Sequence, residues 1–470
     1  MSYNNHLLRA RRASLKPTTT TVRTRDEILF FGGPPGPPPA PPQVPQAPPR
    51  HPFLSSQVLE SSRSQLKPTE TVVKGKTMSQ CTIDVMSRPV APGRDVFLHP
   101  SEEYGMQEIH GFRGSPKWAL PRMVTECHAD ARPGYNTQKA HEYVDNPSVL
   151  AQKVKLLATM IKASSSMLLY TGAGISTSSG IDDYASVGQE SLSRQNVSTK
   201  PRSPLLAKPT YSHYACTSLY EKGFLKRWLQ QNHDGLPQKS GFPQEAMNEI
   251  HGAWWDPTNP VVMMSGNLRN DLFEDMLEWE NKTDLCLSMG TSMCGMNSDR
   301  VFTTCAGKAR RGEKNVLGGV IVNLQKTQFD HMSSLRIFAR IDDVMKLLLG
   351  ELNITSPSMT AGYSPIIANE TGYEDVFHIA YNEDGHRVYH GQLMTLDLRE
   401  GARVKLTSGP YAGDEGVVTG KNAAGHYRIR FMHQLKKNKP LRAPFERLLG
   451  SWWLQSLTLG KSKEAPIVNI

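Results

Sequence analysis

The chain has 470 residues, of which 38% are hydrophobic, and it carries a formal net charge of +10 at pH 7. This length has room for two or three domains, and the positive charge favours acidic partners over basic ones. No two of the six cysteines form a C-x-x-C pair, which argues against a four-cysteine zinc module and against a disulfide framework. No apolar run approaches the roughly 20 residues of a membrane helix, so no membrane partner is expected.

Residues 1–130 have the composition of a disordered, basic and proline-rich arm. The cationic first 25 residues suit either a mitochondrial presequence or a tail lying on an acidic surface. An LKPT segment occurs at both Leu15 and Leu66, either by chance or as one linear motif used twice on a repeating partner. The cysteine pattern predicts a reducing location inside the cell, in the cytoplasm or on the cytoskeleton, in the nucleus, or in the mitochondrion.

Residues 145–352 alternate helix-like and strand-like patterns. Short buried strands are predicted at 166–170, 284–289 and 319–323, and an amphipathic helix at 341–352 closes the region. An earlier helix is expected to bury one face, formed by Val149, Val154, Leu156, Leu157, Met160 and Ile161. This alternation predicts an α/β fold with a doubly wound, parallel, Rossmann-like sheet.

The carboxy-terminal part, residues 374–470, follows a linker at 353–373 that is rich in Ser, Pro, Gly and Thr. Short strands alternate with glycine turns over 401–431, which predicts a small β-barrel. The segment VKLTSGPYAGDEGVVTG within it resembles a KOW-type turn, a unit that contacts RNA or protein. Lysines and arginines near Trp452 and Trp453 form either a basic surface with aromatic neighbours or a solvated loop beside buried tryptophans. The barrel is equally suited to dock on the preceding domain as a cap.

The strongest local signal is a glycine loop that directly follows the first predicted strand and reads TGAGISTSSGI from Thr171. Its glycines would let the backbone approach a pyrophosphate closely, and N–H groups at the start of a following helix would favour an anion. Many strand-to-helix turns need glycine for shape alone, so the loop is informative only together with other motifs.

Four further segments follow the loop in order. They read QNHDGLPQKSGFP from Gln231, NEIHG from Asn248, SMGTS from Ser288 and IVNLQ from Ile321. Together with the glycine loop they resemble the sirtuin family, with wording closest to the class IV branch. The resemblance implies NAD as the cofactor and an acyl-lysine protein as the substrate. Its implied activity is NAD-dependent lysine deacylation, in which nicotinamide is released and the acyl group passes to ADP-ribose.

The resemblance also implies a role for each matching residue. The implied catalytic residues are His251, as the general base, with Asn232 and Asp234. The implied cofactor-binding residues are Gly172, Ala173, Gly174, Thr177, Asp183, Tyr184, Gln231, Gly290, Ser292, Asn323, Gln325 and Ile341. An imidazole that titrates near neutral pH would take a proton from a ribose hydroxyl. Trp254 and Trp255 are expected to pack rather than to bind a ligand.

Some positions depart from the family pattern. The loop continues as GIDDYA where the family has G-I-P-D-F-R, so Ala185 replaces an arginine and Asp182 adds a negative charge. His233 and Pro237 also differ from the usual residues. The 37 residues between Gly252 and Gly290 contain a single cysteine, so the family's zinc module is missing and no metal site is expected.

These departures favour a second hypothesis. The chain would then be a catalytically weak or inactive sirtuin-like scaffold. Its basic arm and barrel would anchor it on an acidic cytoskeletal polymer or on the RNA of a ribonucleoprotein assembly.

Overall fold

The computed structural model describes residues 109–183, 191–192, 201, 203–263, 266–359, 364–434 and 442–470. Most of the predicted arm, with both LKPT segments, lies outside the described residues, as do Tyr184, Ala185 and the lysines near 437. None of the described helices is long and apolar enough to cross a bilayer.

The strands and helices of the described residues are numbered in chain order. The strands are β1 (Arg122–Thr125), β2 (Glu142–Val144), β3 (Met167–Thr171), β4 (Leu225–Gln230), β5 (Met247–Glu249), β6 (Leu285–Met289), β7 (Gly318–Val322), β8 (Leu335–Ile337), β9 (Val376–Ile379), β10 (Met394–Asp397), β11 (Arg403–Leu406), β12 (Glu415–Lys421), β13 (Tyr427–Gln434), β14 (Arg442–Leu449) and β15 (Ile467–Asn469). The α-helices are α1 (Pro147–Ala163), α2 (Tyr211–Glu221), α3 (Leu236–Lys239), α4 (Asn270–Lys282), α5 (Arg300–Arg310), α6 (Ile341–Glu351) and α7 (Ser451–Thr458).

A six-stranded sheet with the order β5-β4-β3-β6-β7-β8 forms the centre of the α/β domain, and all of its pairings are parallel. The chain adds β4 and β5 on one side of β3 and then returns to place β6, β7 and β8 on the other side. The strand order therefore reverses between β3 and β6. In open α/β sheets, ligands bind beyond the carboxyl ends of the strands at such a reversal. The predicted doubly wound parallel sheet is confirmed.

Alternate residues of β3 face two separate hydrophobic clusters. Met167 and Leu169 pack with α1, α2 and α6, whereas Leu168 and Tyr170 pack with α4 and α5. Helix α1 begins where the side chain of Asn146 accepts a hydrogen bond from the Ser148 N–H at 3.0 Å, with proline at its first position. The predicted face of α1 is buried, and its outermost member, Leu156, is partly buried. Helices thus cover both faces of the sheet.

Residues 109–130 differ from the disordered arm predicted for them. Ile109 packs with Tyr143 and Phe338, and the carbonyl of His110 accepts a hydrogen bond from the Arg336 N–H of β8 at 2.9 Å. Strand β1 pairs antiparallel with β2. This segment is ordered because it pairs with backbone at the edge of the α/β domain, a contact that composition does not reveal.

The carboxy-terminal module (residues 374–470) contains a five-stranded antiparallel sheet with the order β14-β13-β12-β11-β15 and a two-stranded sheet of β9 and β10. Both sheets and α7 share one hydrophobic core. The predicted strands with glycine turns over 401–431 are present, whereas the resemblance to a KOW turn stays a prediction. Trp452 is 3% exposed and Trp453 packs against the core, which agrees with the expectation of buried tryptophans.

Candidate functional site

A cleft of about 1090 Å³ opens beyond the carboxyl ends of the central strands, at the reversal of strand order. This volume is at the upper end of the range of small-molecule sites. The predicted site residues that line it are Ala173, Gly174, Thr177, Asp183, Gln231, Asn232, Asp234, His251, Gly290, Ser292, Asn323, Gln325 and Ile341. Gly172 begins the glycine turn beside the cleft, and Tyr184 lies outside the described residues. The individual roles of these residues stay predictions.

Two glycine turns form the floor of the cleft in close contact. The N–H of Gly174 donates to the carbonyl of Gly290 at 2.8 Å. A Cβ atom on Gly174 would lie 2.7 Å from the Gly290 Cα, and one on Gly290, where φ is +61°, would lie 2.6 Å from the Ile175 nitrogen. No side chain therefore fits at either position. The helix predicted to open after Gly174 is instead two short 3₁₀ turns, at Ala173–Ile175 and Thr177–Ser179.

A hydrogen-bond network connects the glycine turn to the loop after β4. The Asn232 amide donates to the carbonyl of Gly172 and to Ser176 Oγ, both at 3.1 Å. Ser176 Oγ donates to Asp234 Oδ2 at 2.7 Å, and the Leu236 N–H donates to Asp234 Oδ1 at 3.0 Å. Two predicted catalytic residues are thereby held in fixed positions by Ser176. Ser176 is a buried residue that the motif comparison did not select.

The imidazole of His251 lies in the cleft wall and is half-buried. Burial, with a smaller contribution from the neighbouring His233, lowers its pKa to about 4 against a hydrogen bond to the backbone of Gln231 that raises it. The expectation of titration near neutral pH is therefore wrong for this cleft. The imidazole is neutral at physiological pH and can accept a proton.

A polar cluster lies behind His251. Ser298 Oγ is 3.5 Å from His251 Nε2, and the Tyr170 hydroxyl is 2.8 Å from Ser298 Oγ and donates to Asp299 Oδ1, also at 2.8 Å. Burial raises the pKa of Asp299 to about 6. Sequence motifs gave no sign of this cluster, because Tyr170, His251 and the adjacent Ser298 and Asp299 come from three distant parts of the chain.

The cleft is lined by charges of both signs. Its carboxylates include Asp182 and Asp183 of the altered loop and the buried Glu142. Glu142 accepts hydrogen bonds from Ser191 Oγ at 2.6 Å and from the Leu192 N–H at 2.7 Å, and burial raises its pKa. The cations that line the cleft are Arg132, Lys208, Arg340 and Lys346. Positive charge is thus present in a cleft whose loop lacks the family arginine.

The two adjacent tryptophans behave differently from one another. Trp255 is 3% exposed and packs, as expected. Trp254 is half-buried and lines the cleft, so the expectation that it packs rather than binds a ligand stays a prediction. Among the described residues, no group of three or more His, Cys, Asp or Glu side chains is arranged to hold a metal ion.

Comparison with known proteins identifies relatives over the same region. "NAD-dependent protein deacetylase sirtuin-7" of Bos taurus is 28% identical over 292 residues, which span 53% of this chain and 72% of the relative. "NAD-dependent protein deacetylase SRT1" of Arabidopsis thaliana is 29% identical over 258 residues, which span 46% of this chain and 52% of the relative.

No family model matches the chain. The solved structure titled "Sir2-p53 peptide-NAD+" aligns with 43% of this chain and 99% of its own at 21% identity. Its TM-score of 0.36 is too low to support an argument. Over about half of its length the chain is thus similar to proteins named as sirtuins, and the sirtuin-7 relatives agree with the class IV wording of its motifs.

Proposed function

We propose that this protein is an NAD-dependent protein-lysine deacylase. The observation that carries the proposal is that a neutral imidazole, His251, and the fixed Asn232–Ser176–Asp234 network line one cleft at the strand-order reversal. The names of the relatives support the same activity. The substrate class would be acyl-lysine proteins, and the products would be nicotinamide and O-acyl-ADP-ribose.

The cleft suits a dinucleotide in shape and charge. Its floor is made of two glycine turns in which a Cβ would meet backbone, so the main chain itself forms the contact surface. Four cationic side chains line the cleft, and although Arg340 is paired with Asp343, the positive charge beside the glycine turns would favour a pyrophosphate. Gly172, Gly174 and Gly290 would hold the phosphate side, while Asn323, Gln325 and Ile341 would hold the adenosine half.

Each polar residue would then have a specific task. When bound, NAD supplies a glycosidic bond whose cleavage releases nicotinamide. His251, unprotonated because its pKa is about 4, accepts a proton from a ribose hydroxyl at a ring nitrogen. Gln231 and Asn232 orient polar groups through amide dipoles and add no charge. Asp234 fixes the loop through the hydrogen bonds of its carboxylate with Ser176 and Leu236.

A scaffold function is the second candidate, and the acidic loop favours it. Asp182, which stands where the family pattern has an uncharged residue, brings negative charge into the cleft where an anionic cofactor would bind. In this case the cleft would bind NAD without turnover. The basic arm and the carboxy-terminal module would bind an acidic cytoskeletal polymer or RNA in the cytoplasm, nucleus or mitochondrion.

One pair of measurements separates the two functions. Nicotinamide release from NAD is measured with a pool of acylated peptides, for the wild-type chain and for His251→Ala, and NAD binding is measured by calorimetry for both. The deacylase proposal expects turnover in the wild type that the substitution abolishes, with NAD binding retained. NAD binding without turnover on any acyl group would reject the deacylase and favour the scaffold.

A further inference from the structure

The carboxy-terminal module covers one residue next to the candidate active site. Trp255 is 3% exposed, and its ring centroid lies 4.4 Å from that of His426 and 5.7 Å from that of Trp452. The N–H of Gly450 donates to the carbonyl of Trp255 at 2.9 Å. The ammonium of Lys239 lies 4.7 Å from the Trp255 ring centroid. Trp255 is thus enclosed by residues of the α/β domain and of the carboxy-terminal module.

Trp255 is also bonded directly to the loop that carries the predicted catalytic residues. Its indole Nε1–H donates to the carbonyl of Asp234 at 2.9 Å. At the next residue, Gly235, φ is +66°, and a Cβ would lie 2.5 Å from the Trp255 ring and 3.2 Å from the Trp452 ring. Only glycine fits between this turn and the two indoles. The Trp452 ring therefore packs directly on the turn that follows Asp234.

The contact continues along the segment that follows His251. Residues 252–263 form neither helix nor strand, so packing against neighbours must fix their position. A Cβ on Gly409 of the module would lie 1.9 Å from the Thr258 carbonyl oxygen, which shows how closely the two backbones approach. Ser456 Oγ of α7 donates to Glu245 Oε2 at 3.1 Å. The interface is continuous and extends beyond the tryptophan.

We infer that the carboxy-terminal module is an intramolecular buttress for the active site, and that Trp255, held by His426 and Trp452, is a positioning residue for Asp234. This inference rests on the proposed function. Hydrogen bonds run from Gly450 through Trp255 to Asp234, and from Asp234 through Ser176 to the glycine turn. The module thereby stabilises the segment that follows His251, which contains no regular element to fix it.

The test compares three variants of the full-length chain. Trp452→Ala removes the ring that supports Trp255, whereas Trp255→Phe keeps a six-membered aromatic ring and removes the pyrrole part of the indole with its donor to Asp234. Leu396→Ala is the matched control, because Leu396 is fully buried in the core of the same module and takes no part in the contacts above. For each variant, amide hydrogen exchange of residues 231–241 and the kcat and KM for NAD are measured.

The buttress predicts faster exchange in residues 231–241 and a tenfold or larger fall in kcat for Trp452→Ala, with a smaller change in KM. Trp255→Phe is expected to lower kcat in the same direction with a smaller loss of thermal stability than Trp452→Ala, which keeps the test decisive if Trp452→Ala does not fold. Leu396→Ala is expected to lower thermal stability without either effect. Unchanged exchange and kcat in both tryptophan variants, or an equal response in Leu396→Ala, would overturn the inference. Absence of turnover in the wild type would reject the deacylase proposal, while the exchange data would still judge the buttress.

Discussion

Replacing Gly174 with alanine directly tests whether the floor of the cleft is a phosphate site. The added Cβ would lie 2.7 Å from the Gly290 Cα and 2.9 Å from the Gly290 carbonyl oxygen. Both are backbone atoms, so no flexible side chain can move aside to make room. The two glycine turns must separate, and the hydrogen bond from the Gly174 N–H to Gly290 is lost or stretched.

The cost can be worked out from these contacts. Forcing one methyl group into a packed site costs about 1–3 kcal/mol. A ligand that contacts both glycine turns must bring them back into contact when it binds. The free energy needed for this weakens the binding of the ligand by the same amount. At about 1.4 kcal/mol per factor of ten, Gly174→Ala should raise the Kd for NAD roughly tenfold to a hundredfold.

The assay is calorimetric titration of NAD into the folded variant, with folding checked by thermal unfolding. Gly307→Ala is a suitable control, because Gly307 lies in α5, is not among the residues lining the cleft, and its added Cβ would meet the end of the Arg311 side chain at 3.3 Å. The control should leave the Kd unchanged. An unchanged Kd in folded Gly174→Ala would refute the assignment of this turn to the phosphates.

Three further predictions concern residues of the same domain. His213 is fully buried, and burial lowers its pKa from 6.5 to about 4, so the unfolded state binds more protons than the folded state between these two pH values. The free energy of unfolding should therefore fall by up to about 3 kcal/mol as the pH drops from 6.5 to 4. In His213→Gln the urea midpoint should depend less on pH over the same range. Lys153→Met should lower the free energy of unfolding in urea by about 3–5 kcal/mol, because it leaves the fully buried Asp145 carboxylate without the ammonium that lies 2.7 Å away. A loss under about 1 kcal/mol would contradict this prediction. Ser176→Ala removes the hydroxyl that bonds Asp234 and should lower the kcat for nicotinamide release by about tenfold, since a lost hydrogen bond to a charged group is worth about 1.5–3 kcal/mol; wild-type kcat would count against the network.

The central sheet was predictable because its strands are short buried runs separated by helical periodicity. The strand predicted at 284–289 is β6, Leu285–Met289, and the helix predicted at 341–352 is α6, Ile341–Glu351. The glycine loop was predicted correctly as a turn after a strand but wrongly as the start of a helix. Thr177 explains part of the difference, because its hydroxyl donates to the Gly174 carbonyl at 3.1 Å and so competes with helical hydrogen bonding.

Features that depend on contacts between distant residues were not predictable. Trp255 meets His426 and Trp452, which lie more than 150 residues further along the chain, and no periodicity connects them. The lowered pKa of His251 likewise results from burial and from His233, which only the folded structure brings close. Sequence motifs therefore indicated which residues line the cleft. The protonation state of these residues and the contacts that hold them in place depend on packing in the folded chain.

The most direct test of the proposed function is the stoichiometry of a single reaction. Wild-type chain, NAD and an acyl-lysine peptide are mixed, and nicotinamide, deacylated peptide and O-acyl-ADP-ribose are quantified together by mass spectrometry. A sirtuin deacylase that uses His251 as its base should form the three products in equal amounts, and His251→Ala should form none of the acylated nucleotide. Bound NAD that stays intact in the presence of every acyl peptide would contradict the account.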